Sequence, residues 1–427
     1  MSIGAFLVLC LVVFLFVGLP IAFSLGLTAV SYFFYTDNLR YLIVLAQRTF
    51  NGINSFELIA IPLFILARDL MYEGKISQAL VNLAKSLAGS MRGSMAIIAT
   101  LACMFFGAVS GSGPATTSAI SSVMAKGMKE DGYPPVFSAC SVAAAGPLGS
   151  LIPPSITMVV YGVTTNTSVG ELLLAGVWPG VIFGLCLMVY EFYICKKYNY
   201  GTVIPFSLEA LAKNLVVSIP ALVTPVIILG GIYSGIFTPT EAGGAAVFYA
   251  LLVGMLWNKS IKVRDLPRIL LTSGVAAATI IIIIGNVSCL SFVLTREQIP
   301  ERLAAMAVQN LSAPWQFLLV VNIIYIFAGM IENGSSAIVM LAPILHPIAL
   351  KFGIDPVFFG AMTVANLAIG MITPPMAASL YIAGRIFEVE IPDVIKNIMP
   401  FFYVMLVGLF IVCATAPMVT WLPSVLM

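Results

Sequence analysis

Two matching interruptions in long apolar stretches, one in each half of this 427-residue chain, constrain its fold more than any other feature. The first is GPLGSLIPPS at 146–155 and the second is IGMITPPMAAS at 369–379. A single offset of 221 residues superposes Pro153-Pro154 on Pro374-Pro375. Apolar segments that glycine and proline interrupt at corresponding positions of two halves are typical of the binding site of a secondary transporter. The sequence therefore predicts an internally repeated transporter with one break in each repeat.

The composition places the chain in a lipid bilayer. Hydrophobic residues make up 60% of the sequence and charged residues only 9%, with a mean hydropathy of +1.07. Soluble domains carry about 25% charged residues. A net charge of +2 gives no reason to expect a nucleic acid partner. We therefore predict an all-α polytopic membrane protein.

The apolar segments predict ten membrane crossings, at about 20 residues each. They lie at 3–18, 21–35, 56–72, 135–164, 171–195, 212–233, 239–257, 268–294, 356–384 and 399–420. The segments 135–164 and 356–384 contain the two breaks and are interpreted as broken helices. Two further segments, 94–128 and 314–351, are too long for one crossing, and each has a small, polar centre. We interpret both as re-entrant hairpins, because irregular backbone at membrane depth requires a protein or water-lined environment.

The distribution of lysine and arginine predicts the orientation, since these residues accumulate in cytoplasmic loops. With the N-terminus outside, fourteen of the twenty fall on the cytoplasmic side, including Lys75 and Arg92. Residues 1–200 and 201–427 then form two inverted-topology repeats, each with five membrane crossings plus one re-entrant hairpin. Both termini are predicted to be periplasmic. The polar stretches 75–89 and 296–310 are either interfacial helices or ordinary surface connections.

The hairpin tips and the breaks are the predicted site. A helix that begins within the membrane presents the positive end of its dipole, which favours an anion, and unwound carbonyls supply oxygen ligands for sodium. The candidate sodium ligands are Ser110, Gly111, Gly146, Gly149, Pro153, Ser155, Asn333, Gly334, Gly370, Thr373 and Pro374. The candidate substrate-binding residues are Ser110, Ser112, Thr116, Asn333, Ser335, Ser336 and Asn366. The alternative is that these small residues only permit helix packing and kinks.

Few ionisable residues fall in the apolar segments. Glu241, in FTPTEAGG, is predicted to cap the following helix or to hold a scaffold to a moving unit. Arg68 and Asp69 are predicted to lie near the inner end of their helix, where they form an ion pair or anchor the helix at the membrane interface. Glu332 lies at the second tip, where it is either close to bound cations or faces the outer vestibule. His346, the single histidine, is interpreted as a packing residue.

No motif for catalysis is evident. The chain has no HExxH, GxSxG or GxxxxGK[ST] sequence, and its seven cysteines show no CxxC spacing. We therefore predict that the protein is not an enzyme, that it has no cofactor, and that ion gradients supply its energy.

At this point the chain resembles a known family, the large membrane subunit of tripartite ATP-independent periplasmic (TRAP) transporters. The segments that carry the resemblance are FFGAVSGSGPATTSAI at 105–120, AGPLGSLIPPSI at 145–156, SGIFTPTEAGG at 234–244, FAGMIENGSSAIVMLAPIL at 327–345 and AIGMITPPMAASLYIAG at 368–384. Their order and spacing cover most of the chain.

The resemblance implies sodium-coupled import across the bacterial inner membrane by an elevator mechanism, in which hairpins and broken helices move as a block. It also implies a periplasmic substrate-binding protein and a small four-helix membrane subunit, the latter as a separate polypeptide. Sialic acid and C4-dicarboxylates both fit as the organic acid substrate, with sialic acid preferred. Two alternatives stay open: a stand-alone di- or tricarboxylate sodium symporter that needs no binding protein, and an ion channel.

Overall fold

The computed structural model describes residues 3–74, 77–90, 93–202, 207–311 and 313–427. All regular secondary structure in these ranges is helical, which confirms the all-α prediction. Lys75 and Arg92, two of the predicted cytoplasmic charges, lie outside the described residues.

Eleven α-helices form in the described part of the first half of the chain. They are α1 (Ile3–Phe16), α2 (Ile21–Tyr35), α3 (Leu42–Ile53), α4 (Ala60–Glu73), α5 (Ser77–Ala88), α6 (Ser94–Ser110), α7 (Gly113–Glu130), α8 (Pro135–Ala145), α9 (Ile156–Thr165), α10 (Val169–Ala175) and α11 (Val177–Tyr198). The first break lies between α8 and α9, where Gly146–Ser150 forms a short 3₁₀ turn.

Ten α-helices follow in the described part of the second half. They are α12 (Leu208–Tyr233), α13 (Pro239–Leu252), α14 (Leu266–Arg296), α15 (Ile299–Asn310), α16 (Pro314–Ile331), α17 (Gly334–Lys351), α18 (Pro356–Gly370), α19 (Ala378–Ile386), α20 (Ile391–Ala414) and α21 (Ala416–Leu426). The second break lies between α18 and α19.

The offset that superposes the prolines also superposes helix boundaries. Helix α7 begins at Gly113 and α17 begins at Gly334, which is 221 residues later. Helix α8 begins at Pro135 and α18 at Pro356, again at the same offset. The two halves therefore share the order hairpin, helix, break and helix. The domain boundary at residue 200 and the inverted orientation of the repeats stay predictions.

The helix lengths support a multi-pass membrane protein. Within the described ranges, seven helical segments have the length and apolarity to cross a membrane, or eight if Leu39–Ile53 and Phe56–Glu73, bent by 58°, form one span. The ten predicted crossings include helices of 14 and 15 residues, namely α1 and α2, and they include the broken helices. Both arms of the second hairpin pass the same length criterion as true spans. Length alone therefore does not separate a hairpin arm from a crossing.

The helices pack into two groups that two amphipathic helices connect. In the scaffold group (α1–α4 and α12–α14), α14 packs on α2, α3 and α4, and α13 packs on α4. In the hairpin group (α6–α11 and α16–α21), α11 packs on α20, α8 on α19 and α16 on α18. Helix α5 contacts both α12 and α6, and α15 contacts both α14 and α17. The two polar stretches thus form helices that join the groups.

Helix α13 begins with the cap that the FTPTEAGG motif predicts. The Thr238 hydroxyl accepts a hydrogen bond from the Glu241 N–H at 3.3 Å, and the Glu241 carboxylate accepts one from the Thr238 N–H at 2.8 Å. These reciprocal bonds satisfy two backbone donors that have no partner within the helix. Glu241 therefore caps α13.

Loss of this cap is expected to destabilise the protein modestly. We expect Thr238→Ala to lower the free energy of unfolding by about 1 kcal/mol, because the Glu241 N–H loses its hydroxyl acceptor. Thermal unfolding of the purified protein in detergent measures the effect. Thr279→Ala is the matched control, because the exposed Thr279 hydroxyl bonds only to the Val275 carbonyl of its own helix. Equal midpoints for both variants would show that the cap contributes nothing.

Candidate functional site

The first hairpin tip lies against the first break. Helix α6 ends at Ser110, and Gly111 adopts a left-handed conformation with φ of 62° before α7 begins. The Ile156 N–H donates a hydrogen bond to the Gly111 carbonyl at 3.3 Å. A Cβ atom on Gly111 would overlap the carbonyl oxygen of Pro154. The tip is thus hydrogen-bonded to the start of α9, and only glycine fits at position 111.

The glycines of the first break permit close backbone contact with the hairpin. A Cβ atom on Gly107 would lie 2.8 Å from the Cα atom of Gly149. Cβ atoms on Gly146 and Gly149 would overlap the hydroxyls of Thr117 and Thr116, respectively. The structure therefore brings the first tip, Gly146 and Gly149 together.

The same arrangement recurs in the second half. A Cβ atom on Gly370 would lie 2.5 Å from the Cα atom of Gly329 in α16. The Met376 N–H, just after the second Pro-Pro pair, donates to the Met330 carbonyl at 2.8 Å. Helix α17 is capped by Asn333, whose side-chain oxygen accepts a hydrogen bond from the Ser336 N–H at 3.1 Å. The second tip and the second break therefore lie in direct contact.

The two halves of the site meet at their tips. A Cβ atom on Gly113, at the start of α7, would lie 2.7 Å from the sulfur of Met371, in the second break. A Cβ atom on Gly334, at the start of α17, would lie 3.4 Å from the Thr157 methyl and 3.6 Å from the terminal methyl of Met371. The N-termini of both hairpin helices thus converge on Met371, and that of α17 also lies beside Thr157. The positive ends of two helix dipoles are brought close together at this point.

The two breaks differ in exposure. Both Pro-Pro peptide bonds, 153–154 and 374–375, are cis. Pro154 and Ser155 are buried, whereas the corresponding Pro375 and Met376 are exposed. Ser155 caps α9 by accepting from the Met158 N–H at 3.2 Å. Its hydroxyl also donates to the Ser150 carbonyl, which leaves one lone pair for a further contact.

Several buried oxygens at the site have no hydrogen-bond partner within the described residues. They include the Thr116 hydroxyl, the Asn366 side-chain oxygen and the Ser379 hydroxyl. An unpartnered buried oxygen costs about 1–3 kcal/mol, which a bound cation can offset. The Asn366 amide group is held in place because it donates to the Asn322 carbonyl and side-chain oxygens at 2.9 and 2.7 Å. Ser379 was not among the predicted residues, although it ends the MAAS segment of the second break.

The remaining predicted residues lie in the tip and break segments and differ in how far they are buried. Ser110 is buried, while Ser112 and Ser335 are half-buried and Asn333 is exposed. The Thr373 hydroxyl donates to the Ile369 carbonyl at 2.8 Å, so its lone pairs stay available. Pro153, Pro374 and Ser336 also lie in the tip and break segments described above, with Ser336 buried. Glu332 is half-buried in extended backbone directly before the second tip.

A cavity of about 420 Å³ lies between the scaffold group and the first tip. Ser110 and Ser112 form part of one wall. The other wall carries Arg68 and Asp69, whose predicted ion pair is confirmed with an N–O distance of 2.8 Å. A second cavity of about 480 Å³ lies between α3 and α14 on one side and α9 and α17 on the other, and contains none of the predicted site residues.

Two further polar residues lie buried in the hairpin group. His346 is hydrogen-bonded through Nδ1 to the Tyr161 hydroxyl at 2.8 Å, which joins α17 to α9. Glu191 in α11 is fully buried and accepts hydrogen bonds from Thr100 at 3.0 and 2.9 Å and from Ser141 at 2.6 Å. Sequence reasoning did not single out Glu191, although an acid within the apolar α11 is a detectable signal.

Comparison with known proteins gives consistent matches along nearly the whole chain. A family model described as "Tripartite ATP-independent periplasmic transporter, DctM component" matches residues 8–418. The C4-dicarboxylate TRAP transporter large permease protein DctM of Pseudomonas aeruginosa is 40% identical over 404 residues, which cover 94% of this chain and 92% of that protein. The sialic acid TRAP transporter large permease protein SiaM of Vibrio cholerae is 36% identical over 400 residues, which cover 94% and 92%.

A solved structure shares the fold. The crystal structure of the YdaH transporter of Alcanivorax borkumensis, described as having an unusual topology, matches with a TM-score of 0.64 over 90% of this chain and 88% of that chain. The sequence identity is 16%, so this likeness concerns the fold alone. The family resemblance carried by the hairpin and break motifs is confirmed by the full-length matches. The chain belongs to the DctM family of TRAP transporter large permeases, which are multi-pass membrane proteins.

Proposed function

We propose that this chain imports a carboxylate-bearing organic acid across the bacterial inner membrane, driven by sodium ions and supplied by a periplasmic binding protein. The observation that supports this proposal is the convergence of two hairpin tips and two breaks around Met371 and Thr157. Helix N-termini favour an anion, and the unpartnered oxygens nearby favour a cation. The proposal therefore puts an anion site beside a cation site, an arrangement that suits coupled transport.

The substrate is a sialic acid or a C4-dicarboxylate. These are the substrates in the names of the relatives that are 36% and 40% identical to the chain. Both are carboxylates, which suits a site built from helix ends and hydroxyl groups. A small four-helix membrane subunit is the proposed second partner.

The two groups of helices suit an elevator mechanism. The hairpin group contains both tips and both breaks, while α5 and α15 connect it to the scaffold group. We propose that the hairpin group moves as a block and carries the substrate past the scaffold group. Two sodium ions, one for each tip and break, would supply about 4.6 kcal/mol per 100 mV. The negative charge of the co-transported substrate lowers the net charge moved and reduces this energy. The coupling ions are sodium, and no cofactor is proposed.

Reconstitution tests the proposed function directly. Proteoliposomes containing this chain and its small subunit are given labelled N-acetylneuraminic acid or succinate, with and without the binding protein and an inward sodium gradient. We expect uptake of one acid that requires both additions. Uptake without the binding protein would instead favour the stand-alone symporter, and uptake that is indifferent to sodium would contradict the coupling.

Thr116, a candidate substrate-binding residue from the sequence, is proposed here as a sodium ligand and offers a test of sodium binding. Its buried hydroxyl lies against Gly149 and has no described partner. We expect Thr116→Val to raise the sodium concentration for half-maximal uptake about 10-fold, because one oxygen ligand is lost while the shape is kept. The control is Ser122→Ala, since the exposed Ser122 hydroxyl bonds only to the Ser118 carbonyl of the same helix. An unchanged sodium dependence in Thr116→Val would remove Thr116 from the proposed ligands.

A further inference from the structure

Charged side chains from α4 and α14 line the cavity that reaches the first tip. Arg68 contacts a single oxygen of Asp69 through both Nε and Nη2 at 2.8 Å. The other oxygen of Asp69 accepts a hydrogen bond from Ser273 of α14 at 2.6 Å. The Arg68 and Asp69 side chains are only 18% and 20% exposed. A fixed, partly dehydrated guanidinium is thus present on the scaffold side of the cavity.

A second guanidinium enters the same cavity from α14. Arg268 contacts Glu73 through Nη2 at 2.9 Å, and its side chain is 63% exposed. Exposed ion pairs of this kind contribute little to stability, so another carboxylate can replace Glu73 readily. A guanidinium has five N–H donors, of which the pairs with Asp69 and Glu73 use only some. Arg68 and Arg268 therefore retain the capacity to bind a further anion.

The opposite wall of the cavity belongs to the hairpin group. Ser110 and Ser112 at the first tip lie there, directly before the N-terminus of α7. The cavity of about 420 Å³ falls within the range of small-molecule sites. A carboxylate leaving the tip therefore meets hydroxyl groups and a helix N-terminus on one side, and on the other two guanidinium groups that are each paired with a carboxylate, Asp69 or Glu73.

We propose that this cavity is an anion-binding exit subsite, in which Arg68 and Arg268 hold a carboxylate of the imported acid as it leaves the first tip. The inference rests on the proposed function, since it needs an organic acid to pass the tip. It assigns the subsite to the face on which lysine and arginine accumulate, which is the predicted cytoplasmic face. Acid that has accumulated inside then occupies the subsite and slows further import.

The test measures inhibition by internal substrate. Vesicles containing the chain and its small subunit are loaded with increasing succinate or N-acetylneuraminic acid, and binding-protein-dependent uptake of the same labelled acid is followed. We expect Arg268→Ala to raise the half-inhibitory internal concentration about 10-fold, because a charge-assisted hydrogen bond is lost. Arg68→Ala combined with Arg268→Ala raises it further, and Arg268→Lys restores part of the inhibition. Half-saturation by external substrate stays within about twofold of the wild type, because entry does not use these residues.

Arg264→Ala is the matched control. The Arg264 side chain is 78% exposed, and its Nε atom lies 4.0 Å from Oδ1 of Asp265. Arg264 does not line the cavity. We expect it to leave the internal inhibition unchanged. Arg268→Ala alone carries the test if removal of Arg68 prevents folding, since Arg268 is largely exposed.

Three results would overturn the exit subsite. Wild-type uptake that neither internal acid inhibits shows that no anion binds there. Arg268→Ala and the double variant inhibited at the wild-type concentration show that the guanidinium groups are not involved. A shift in external rather than internal half-saturation places the cavity on the entry side. Failure of the proposed function is seen separately, as wild-type uptake that ignores sodium or the binding protein.

Discussion

Replacement of Gly370 by alanine is expected to reduce substrate uptake by about 100-fold. The added Cβ atom would lie 2.5 Å from the Cα and carbonyl carbon atoms of Gly329. Both are backbone atoms, so no side-chain rotation relieves the overlap, and α16 must move away from α18. In enzymes, a displacement of about 1 Å in a positioning group lowers the rate by about 100-fold. Overpacking also destabilises a fold by about 1–3 kcal/mol. Initial uptake rates in proteoliposomes, normalised to reconstituted protein, measure the loss.

Gly230→Ala is the matched control for this variant. Gly230 lies within α12, and a Cβ atom on it would have no neighbour within 4 Å. We expect wild-type uptake and unchanged or slightly raised stability, since alanine favours a helix by about 1 kcal/mol over glycine. If Gly370→Ala imports at the wild-type rate, the close approach of α16 and α18 is not required for transport.

Replacement of Glu191 by alanine is expected to lower the free energy of unfolding by about 2–4 kcal/mol. The carboxylate joins α11 to α6 through Thr100 and to α8 through Ser141, and no part of it is exposed. Its loss leaves two buried hydroxyl groups without an acceptor and opens a void between three helices. Thermal unfolding of the purified protein measures the change as a drop of several degrees in the midpoint.

Two comparisons separate hydrogen bonding from general damage. Glu191→Gln keeps an acceptor oxygen of the same reach, so we expect it to lose less than half as much stability as Glu191→Ala. Glu130→Ala removes an exposed acid that lies 3.8 Å from Lys126, and we expect a change within about 0.5 kcal/mol. Equal unfolding midpoints for Glu191→Ala and Glu130→Ala would show that the buried carboxylate does not stabilise the packing of α6, α8 and α11.

The local parts of the site could be predicted from the sequence because glycine and proline determine backbone geometry locally. The polar, glycine-containing segments 110–118 and 332–336 mark tips, and Pro153-Pro154 and Pro374-Pro375 mark breaks. The offset of 221 residues relates the two breaks in the sequence, and in the structure it relates the starts of the hairpin helices α7 and α17 as well. The family followed from the same motifs. The roles assigned to individual sodium and substrate ligands stay predictions.

The contacts between distant segments could not be predicted from local patterns. Met371 touches the starts of both hairpin helices, yet nothing around it distinguishes it from other apolar residues. The hydroxyl partners of Glu191 lie 91 and 50 residues away along the chain. The cavity with Arg68 and Arg268 likewise forms only when α4, α14 and the first tip are packed together. Such features depend on tertiary arrangement, which periodicity and turn residues do not specify.

The unequal exposure of the two breaks predicts that the two halves of the internal repeat release bound ions at different rates. Pro154 and Ser155 are buried, while Pro375 and Met376, at the same offset in the second half, lie at the surface of the chain. An ion at the second break, as proposed, would be covered by less of this chain than one at the first. If each break holds one of the two proposed sodium ions, we expect the ions to bind and dissociate in sequence, with the second-half ion exchanging first.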